Sequence, residues 1–179
     1  MKYFVFFLTI ALLCRCTPKD DSDFQGLKWG DRPSQIIKKE GRAPDDSSDK
    51  NVYVYGKDLF GVPMQLGYIF ADSQFASAVY IPKDAGAMKD KIHQAYLKLS
   101  DSLTKAYGPS RDSTIAENNK FKKQWQNKNS NISIVYVKEG AEIFVFSIVS
   151  KKLEPLIDMG GDGPSATPDD TDKIKIEVK

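Results

Sequence analysis

The chain contains little of the chemistry that most enzymes use. Of its 179 residues only one is a histidine, His93, and only two are cysteines, Cys14 and Cys16. Both cysteines lie in the first 16 residues, so the rest of the chain has no thiol nucleophile, no cysteine zinc site and no internal disulfide. The sequence also contains no glycine-rich phosphate loop and no nucleophile elbow. These absences predict a protein with no catalytic residues, no metal and no cofactor.

The few residues that remain as candidates for chemistry have simpler explanations. Asp45, Asp46 and Asp49 lie close together, but they lack the fixed ligand spacing of a calcium loop, and we interpret them as a solvated acidic loop. His93 lies beside the apolar stripe of a predicted helix, which favours a solvated helix flank over a charge relay. No pair of carboxylates has a spacing that is diagnostic of glycan hydrolysis.

Charge and composition indicate one domain and give no support for nucleic-acid binding. The net charge is +2, the pI is near 8.4, and 41% of the residues are hydrophobic, enough for one core. Residues 24–153 contain 20 Lys and Arg against 14 Asp and Glu, whereas residues 154–179 contain 3 against 7. We therefore predict a single domain over 24–153 and a low-complexity, disordered tail over 154–179.

The first residues have the pattern of an export signal. Lys2 precedes an uncharged run from Tyr3 to Leu13 that is apolar apart from Thr9; it is too short to span a bilayer but fits a signal peptide. Cys14 and Cys16 at the end of this segment resemble the cysteine that bacterial lipoproteins modify with lipid. The resemblance implies lipidation at Cys16 or Cys14, while the alternative is an ordinary secretory signal. Residues 17–23 are polar and predict a tether, so we expect the domain to lie in the bacterial cell envelope, periplasmic or surface-exposed.

The hydrophobic pattern of residues 24–153 predicts an α+β fold. Apolar residues recur at helical spacing between Asp84 and Gly108, with Asp84 as the expected N-cap and Gly108 as the stop. A shorter helix is expected from Asp31, as its N-cap, to Gly41. Alternating segments on both sides of the long helix predict an antiparallel sheet of five or six strands packed by these two helices.

The domain starts with Trp-Gly, a predicted short helix and Gly-x-x-Pro, formed by Trp29, Gly30, Pro33, Ser34, Gly41 and Pro44. This pattern resembles the start of small lipoproteins of the outer-membrane assembly machinery and of β-lactamase-inhibitor-like domains. The resemblance implies helices on one face of an antiparallel sheet. Three predicted strands separate the two helices here, unlike in those families, so only the architecture is carried over.

Two surfaces are candidates for binding. The first is an aromatic strand face made of Tyr53, Tyr55, Tyr68, Phe70, Phe144 and Phe146, for which the alternative is ordinary core packing. The second is a basic segment around an aromatic ring that suggests anion binding, made of Lys120, Lys122, Lys123 and Trp125. The alternative for this segment is a strand edge that lysines protect from pairing.

These observations favour a non-enzymatic envelope lipoprotein that binds a protein or a cell-wall component. Its expected contacts are an unknown envelope partner and, through the lipid anchor, the membrane. An inhibitor or immunity-like protein that blocks an envelope enzyme would use the same surfaces and remains the alternative. A glycan hydrolase is a third hypothesis.

Overall fold

The computed structural model of the protein describes residues 23–86, 88–115, 120–138 and 143–159. The predicted signal segment with Cys14 and Cys16, and residues 17–22 of the predicted tether, lie outside the described residues. So do residues 160–179 of the predicted tail. The fold and the sites below therefore belong to the domain that begins near Phe24.

Within these residues the chain forms one antiparallel sheet and three helices. The elements are α1 Pro33–Glu40, β1 Val52–Leu59, β2 Val62–Ala71, β3 Gln74–Pro82, α2 Lys89–Tyr107, β4 Arg111–Ile115, β5 Lys120–Gln126, β6 Ser130–Val137, β7 Ile143–Ser150 and α3 Glu154–Met159. The strand order across the sheet is β1-β2-β3-β7-β6-β5-β4. The α+β class with a single antiparallel sheet is confirmed, but the sheet has seven strands instead of five or six.

The topology divides the domain into two similar halves. Each half is a helix followed by a meander of strands, first α1 with β1 to β3 and then α2 with β4 to β7. The last strands of the two halves, β3 and β7, pair antiparallel in the middle of the sheet, from Ser77 opposite Val149 to Tyr80 opposite Phe146. The two halves therefore build one continuous sheet.

Helix α1 begins one residue later than the sequence pattern indicates. Arg32, not Asp31, occupies the N-cap, and its backbone N–H donates to the side-chain oxygen of Gln35 at 2.7 Å. The Asp31 carboxylate instead accepts the backbone N–H of Lys28 at 2.8 Å, which closes the preceding turn. The predicted stop is confirmed, because Gly41 has φ +69°, a left-handed conformation that favours glycine at this position.

Helix α2 begins at Lys89, five residues after the predicted cap Asp84, and ends before Gly108 as predicted. Ile92, Ala95, Tyr96, Leu99 and Leu103 are buried, which confirms the centre of the predicted apolar face. Tyr107, which follows Leu103 at the helical spacing of four residues, is 39% exposed. The face that contacts the sheet is therefore shorter than the apolar pattern.

The two sides of the sheet are covered differently. Helices α1 and α2, together with residues 24–29, lie on one side and enclose the main core. On the other side α3 contacts β2 and β3, where Leu153 packs with Ala71 and Ala76. The tail was predicted to be disordered from Glu154 onward; for the six residues of α3 this prediction is wrong.

Candidate functional site

The predicted aromatic face is the core of the domain. Tyr55, Tyr68 and Phe144 are 0% exposed, Phe70 and Phe146 are 4% and 7% exposed, and Tyr53 is partly buried. Rings from other segments complete the cluster, among them Phe24 and Phe75, which lie 6.2 and 5.5 Å from Tyr68 between ring centroids. The binding face proposed for these six residues is therefore incorrect, because the helix layer and residues 24–29 cover it.

A buried ionic cluster fixes α1 on this core. The Glu40 side chain is 2% exposed, and its carboxylate accepts hydrogen bonds from the Tyr68 hydroxyl at 2.7 Å, from Lys39 at 3.0 Å and from Lys57. Burial alone raises the pKa of Glu40, but the hydrogen bonds from Lys57, Tyr68 and Lys39 outweigh it and lower the pKa from its ordinary 4.5 to about 2. Burial and the Glu40 charge raise the pKa of Tyr68, so this hydroxyl remains a donor. A carboxylate this firmly ionised is a poor general acid near neutral pH, so the cluster is structural.

The four residues of the predicted anion-binding segment do not share one surface. They all lie on β5, where successive side chains point to opposite sides of the sheet. Trp125 is 4% exposed and pairs with the buried Ile132 on the helix-covered side, where Lys123 lies 3.7 Å from Asp112. Lys120 and Lys122 alternate with them and lie on the other side.

The side of the sheet opposite α1 and α2 is incompletely covered, and we call it the open face. Aliphatic side chains that are only half-buried line its middle, including Val54, Ile69, Val79, Ile81, Val135 and Val145. An antiparallel sheet with one face in water normally carries polar residues on that face. Of the described helices only α3 lies on this side. The open face is therefore an apolar surface that the described part of the chain leaves largely uncovered.

Toward β4 the open face becomes polar. A cavity of about 670 Å³ lies there, with a lining that includes Arg111, Lys122, Gln124, Asn131, Ser133 and Ser147. The hydroxyls of Ser133 and Ser147 lie 2.8 Å apart across β6 and β7, and the Asn131 amide donates to Glu154 of α3 at 2.8 Å. The open face thus combines an aliphatic centre with a polar, basic margin, the composition of many protein-binding surfaces.

A second cavity, of about 530 Å³, lies between α2 and the sheet on the helix-covered side. We call it the Tyr136 cavity. Its lining is Asp90, His93, Gln94, Tyr96, Phe121, Tyr136 and Lys138. Tyr136 stacks on Tyr96 with ring centroids 4.6 Å apart, and its hydroxyl lies 3.0 Å from Nδ1 of His93. Phe121 is 39% exposed, so one aromatic ring is accessible from solvent.

The sequence pattern did not identify the Tyr136 cavity. His93 was predicted to be a solvated flank residue, and it is only partly exposed, with a tyrosine hydroxyl as partner. The available signal was the spacing of Asp90, His93 and Gln94, which places three polar side chains on one helix flank beside the apolar stripe. Phe121 and Tyr136 reach this flank only through strand pairing, which sequence spacing does not reveal.

The described residues contain no group of three or more His, Cys, Asp or Glu side chains that is placed to hold a metal ion. In the same part of the chain no helix is long and apolar enough to cross a membrane. No protein-family model, curated protein or solved structure matches the chain. The geometry of the open face and of the Tyr136 cavity is therefore the basis for a functional proposal.

Proposed function

We propose that the protein is an exported, lipid-anchored binding protein of the bacterial cell envelope, with no enzymatic activity, and that its open face binds a protein partner. The export and lipid components of this proposal come from residues 1–16, where a short apolar run ends in Cys14 and Cys16. The binding component comes from the domain.

The half-exposed Val and Ile side chains of the open face are the observation that carries the proposal. Seven strands spaced by about 4.8 Å give a surface about 30 Å wide. Its centre is formed by residues such as Val79 and Val145, which would be expected to be polar if they faced only water. A contiguous apolar surface with a polar margin is a usual sign of a protein interface.

The charge distribution adds a preference among partners. Arg111 and Lys122 lie at the polar margin of the open face, and the domain carries an excess of basic residues. Complementary potentials accelerate and select encounters, so a partner with an acidic margin around an apolar centre fits this surface best.

Site-specific photo-crosslinking in the cells that produce the protein tests this proposal. A photoreactive amino acid at Val79 or Val145 should yield an adduct with an envelope protein, and charge introduced by Val145→Lys should abolish the adduct formed from Val79. The same photoreactive residue at Leu97, which is 45% exposed on α2, serves as the control and should yield no such adduct. Equal adducts from Leu97 and Val79, or none from either open-face position, would refute the assignment.

The identity of the crosslinked protein separates the classes of function. An envelope hydrolase that loses activity in the complex would indicate an inhibitor or immunity-like protein. A component of an assembly machinery would indicate a structural role.

A further inference from the structure

We propose that the Tyr136 cavity binds one sugar ring of a neutral glycan. The cavity lies on the helix-covered side of the sheet, opposite the open face. Its ligand is therefore independent of the protein partner proposed above.

The size of the cavity suits part of a chain-like ligand. Sites for small ligands commonly measure about 300–1,000 Å³, and this cavity of about 530 Å³ lies within that range. Its rim includes the exposed Phe121, Asp90 and Gln94, so a ring bound inside can extend into solvent. The cavity fits one unit of a polymer better than an enclosed small molecule.

The exposed ring of Phe121 provides a platform for the apolar face of a sugar ring, and the buried rings of Tyr136 and Tyr96 stand behind it. Phe121 lies at the rim with its ring centroid 6.5 Å from that of Tyr136, and Tyr136 is held in turn by stacking on Tyr96. The core does not need the exposed part of the Phe121 ring, which therefore carries an unfavourable contact with water. An aromatic face is electron-rich and apolar, and the C–H groups on one face of a pyranose complement both properties.

The polar side chains around this platform match the hydroxyl groups at the edge of such a ring. Asp90, His93 and Gln94 lie at positions i, i+3 and i+4 of α2 and offer a carboxylate, an imidazole and an amide. His93 uses Nδ1 toward the Tyr136 hydroxyl, and within the described residues its second ring nitrogen makes no hydrogen bond. Adjacent hydroxyls are both donors and acceptors, so this mixed set can satisfy several of them at once.

The charge of the cavity favours a neutral ligand. Among the described residues, its lining contains one carboxylate, Asp90, and one ammonium group, Lys138, apart from the imidazole of His93. A phosphate or another anion would meet the Asp90 charge with a single lysine to offset it, whereas anion sites usually bring several donors together. A neutral, polyhydroxylated ring meets no such repulsion.

Isothermal titration of the full chain in detergent with chitotriose, cellotriose and maltotriose tests the assignment. We expect saturable binding of at least one trisaccharide, weakened at least tenfold by Phe121→Ala and at least threefold by Gln94→Ala. The matched controls are Phe60→Ala, another exposed phenylalanine, and Asp101→Asn, an exposed carboxylate about three turns further along α2 than Asp90. Both controls should bind within a factor of two of the parent chain.

Three results would overturn the proposal: no binding of any trisaccharide, equal weakening by Phe60→Ala and Phe121→Ala, or binding of inorganic phosphate in preference to the sugars. If Phe121→Ala fails to fold, Asp90→Asn on the exposed first turn of α2 takes its place, compared with Asp101→Asn. Crosslinking from Val79 should persist in every cavity variant that folds, which distinguishes failure of this site from failure of the open face.

Discussion

The substitution Glu40→Gln tests whether the buried ionic cluster holds α1 on the sheet. Gln has nearly the same shape as Glu and still accepts the Tyr68 hydroxyl, but it removes the negative charge that faces Lys39 and Lys57. Those lysine side chains are 26% and 31% exposed, so they can turn toward water when the carboxylate is absent. The cost should therefore lie below the roughly 3–5 kcal/mol that follows when a fully buried ion pair loses one partner.

The pKa of Glu40 sets the size of the stability loss in Glu40→Gln and the pH range over which that loss occurs. One pKa unit corresponds to about 1.4 kcal/mol, so the difference between 4.5 and about 2 gives at most about 3.5 kcal/mol. Because the pKa is lower in the folded chain, this contribution is fully present above pH 4.5 and is lost as the pH falls toward 2. We expect Glu40→Gln to lower the free energy of unfolding by about 2–3 kcal/mol at pH 7 and by much less at pH 2.

Urea unfolding of the chain from residue 17 onward, followed by tryptophan fluorescence, measures this effect. Trp125 is buried and Trp29 packs against the core, so both rings report on the folded state. Asp101→Asn is the control, because its pair with Lys105 is more than 60% exposed on both sides and should contribute no more than about 0.5 kcal/mol. Equal losses for the two substitutions, or an undiminished loss for Glu40→Gln at pH 2, would refute the account of the cluster.

Two other predictions concern the helix layer and the anchor. Leu99 is 7% exposed on α2, so Leu99→Ala should lower the free energy of unfolding in urea by about 2–5 kcal/mol. Leu97 is also a leucine of α2 but is 45% exposed, so Leu97→Ala should lower it by about 0.5 kcal/mol or less. Similar losses at the two positions would mean that the sheet-facing side of the helix is misassigned. Replacing both Cys14 and Cys16 by Ser should release the protein from membranes and abolish metabolic labelling with a fatty-acid probe. An unlabelled parent chain would instead indicate a simple secretory signal.

The sequence predicted the elements whose signal is local. The centre of α2 follows from apolar residues at helical spacing, and its end follows from Gly108, whose φ of +84° suits glycine. The predicted start of α2 is wrong because Ala85 and Met88 pack against the core before the helix begins. This packing overrides the capping signal of Asp84. Strand β4 was missed because Arg111–Ile115 contains one large apolar residue and pairs with a neighbour on one side only. Helix α3 owes its order to packing of Leu156 and Ile157 near Leu153.

The candidate surfaces were harder to predict because both sides of the strands are apolar. A period of two separates Tyr55 and Phe144 from Val54 and Val145, but it does not say which set lies under the helices. The structure places the large aromatic rings under α1 and α2, where the helix layer leaves a thick space to fill, and the β-branched residues on the open face. The aromatic residues that the sequence indicated as a binding surface are therefore part of the core, and the β-branched residues form the open face.

The chain enters the domain at the end of the strands opposite the Tyr136 cavity, and this arrangement sets the distance between the proposed anchor and the proposed sugar site. The Asp23 carboxylate accepts a hydrogen bond from the Asn129 side chain in the turn between β5 and β6, so the tether joins the domain at that end of the strands. The Tyr136 cavity lies near the opposite ends, where β6 finishes and α2 begins. If Cys16 carries a lipid, the seven tether residues reach at most about 25 Å, and the strands add about another 25 Å. With the chain extended to this length, the cavity would lie on the order of 50 Å from the lipid, at the end of the domain away from the entry of the chain.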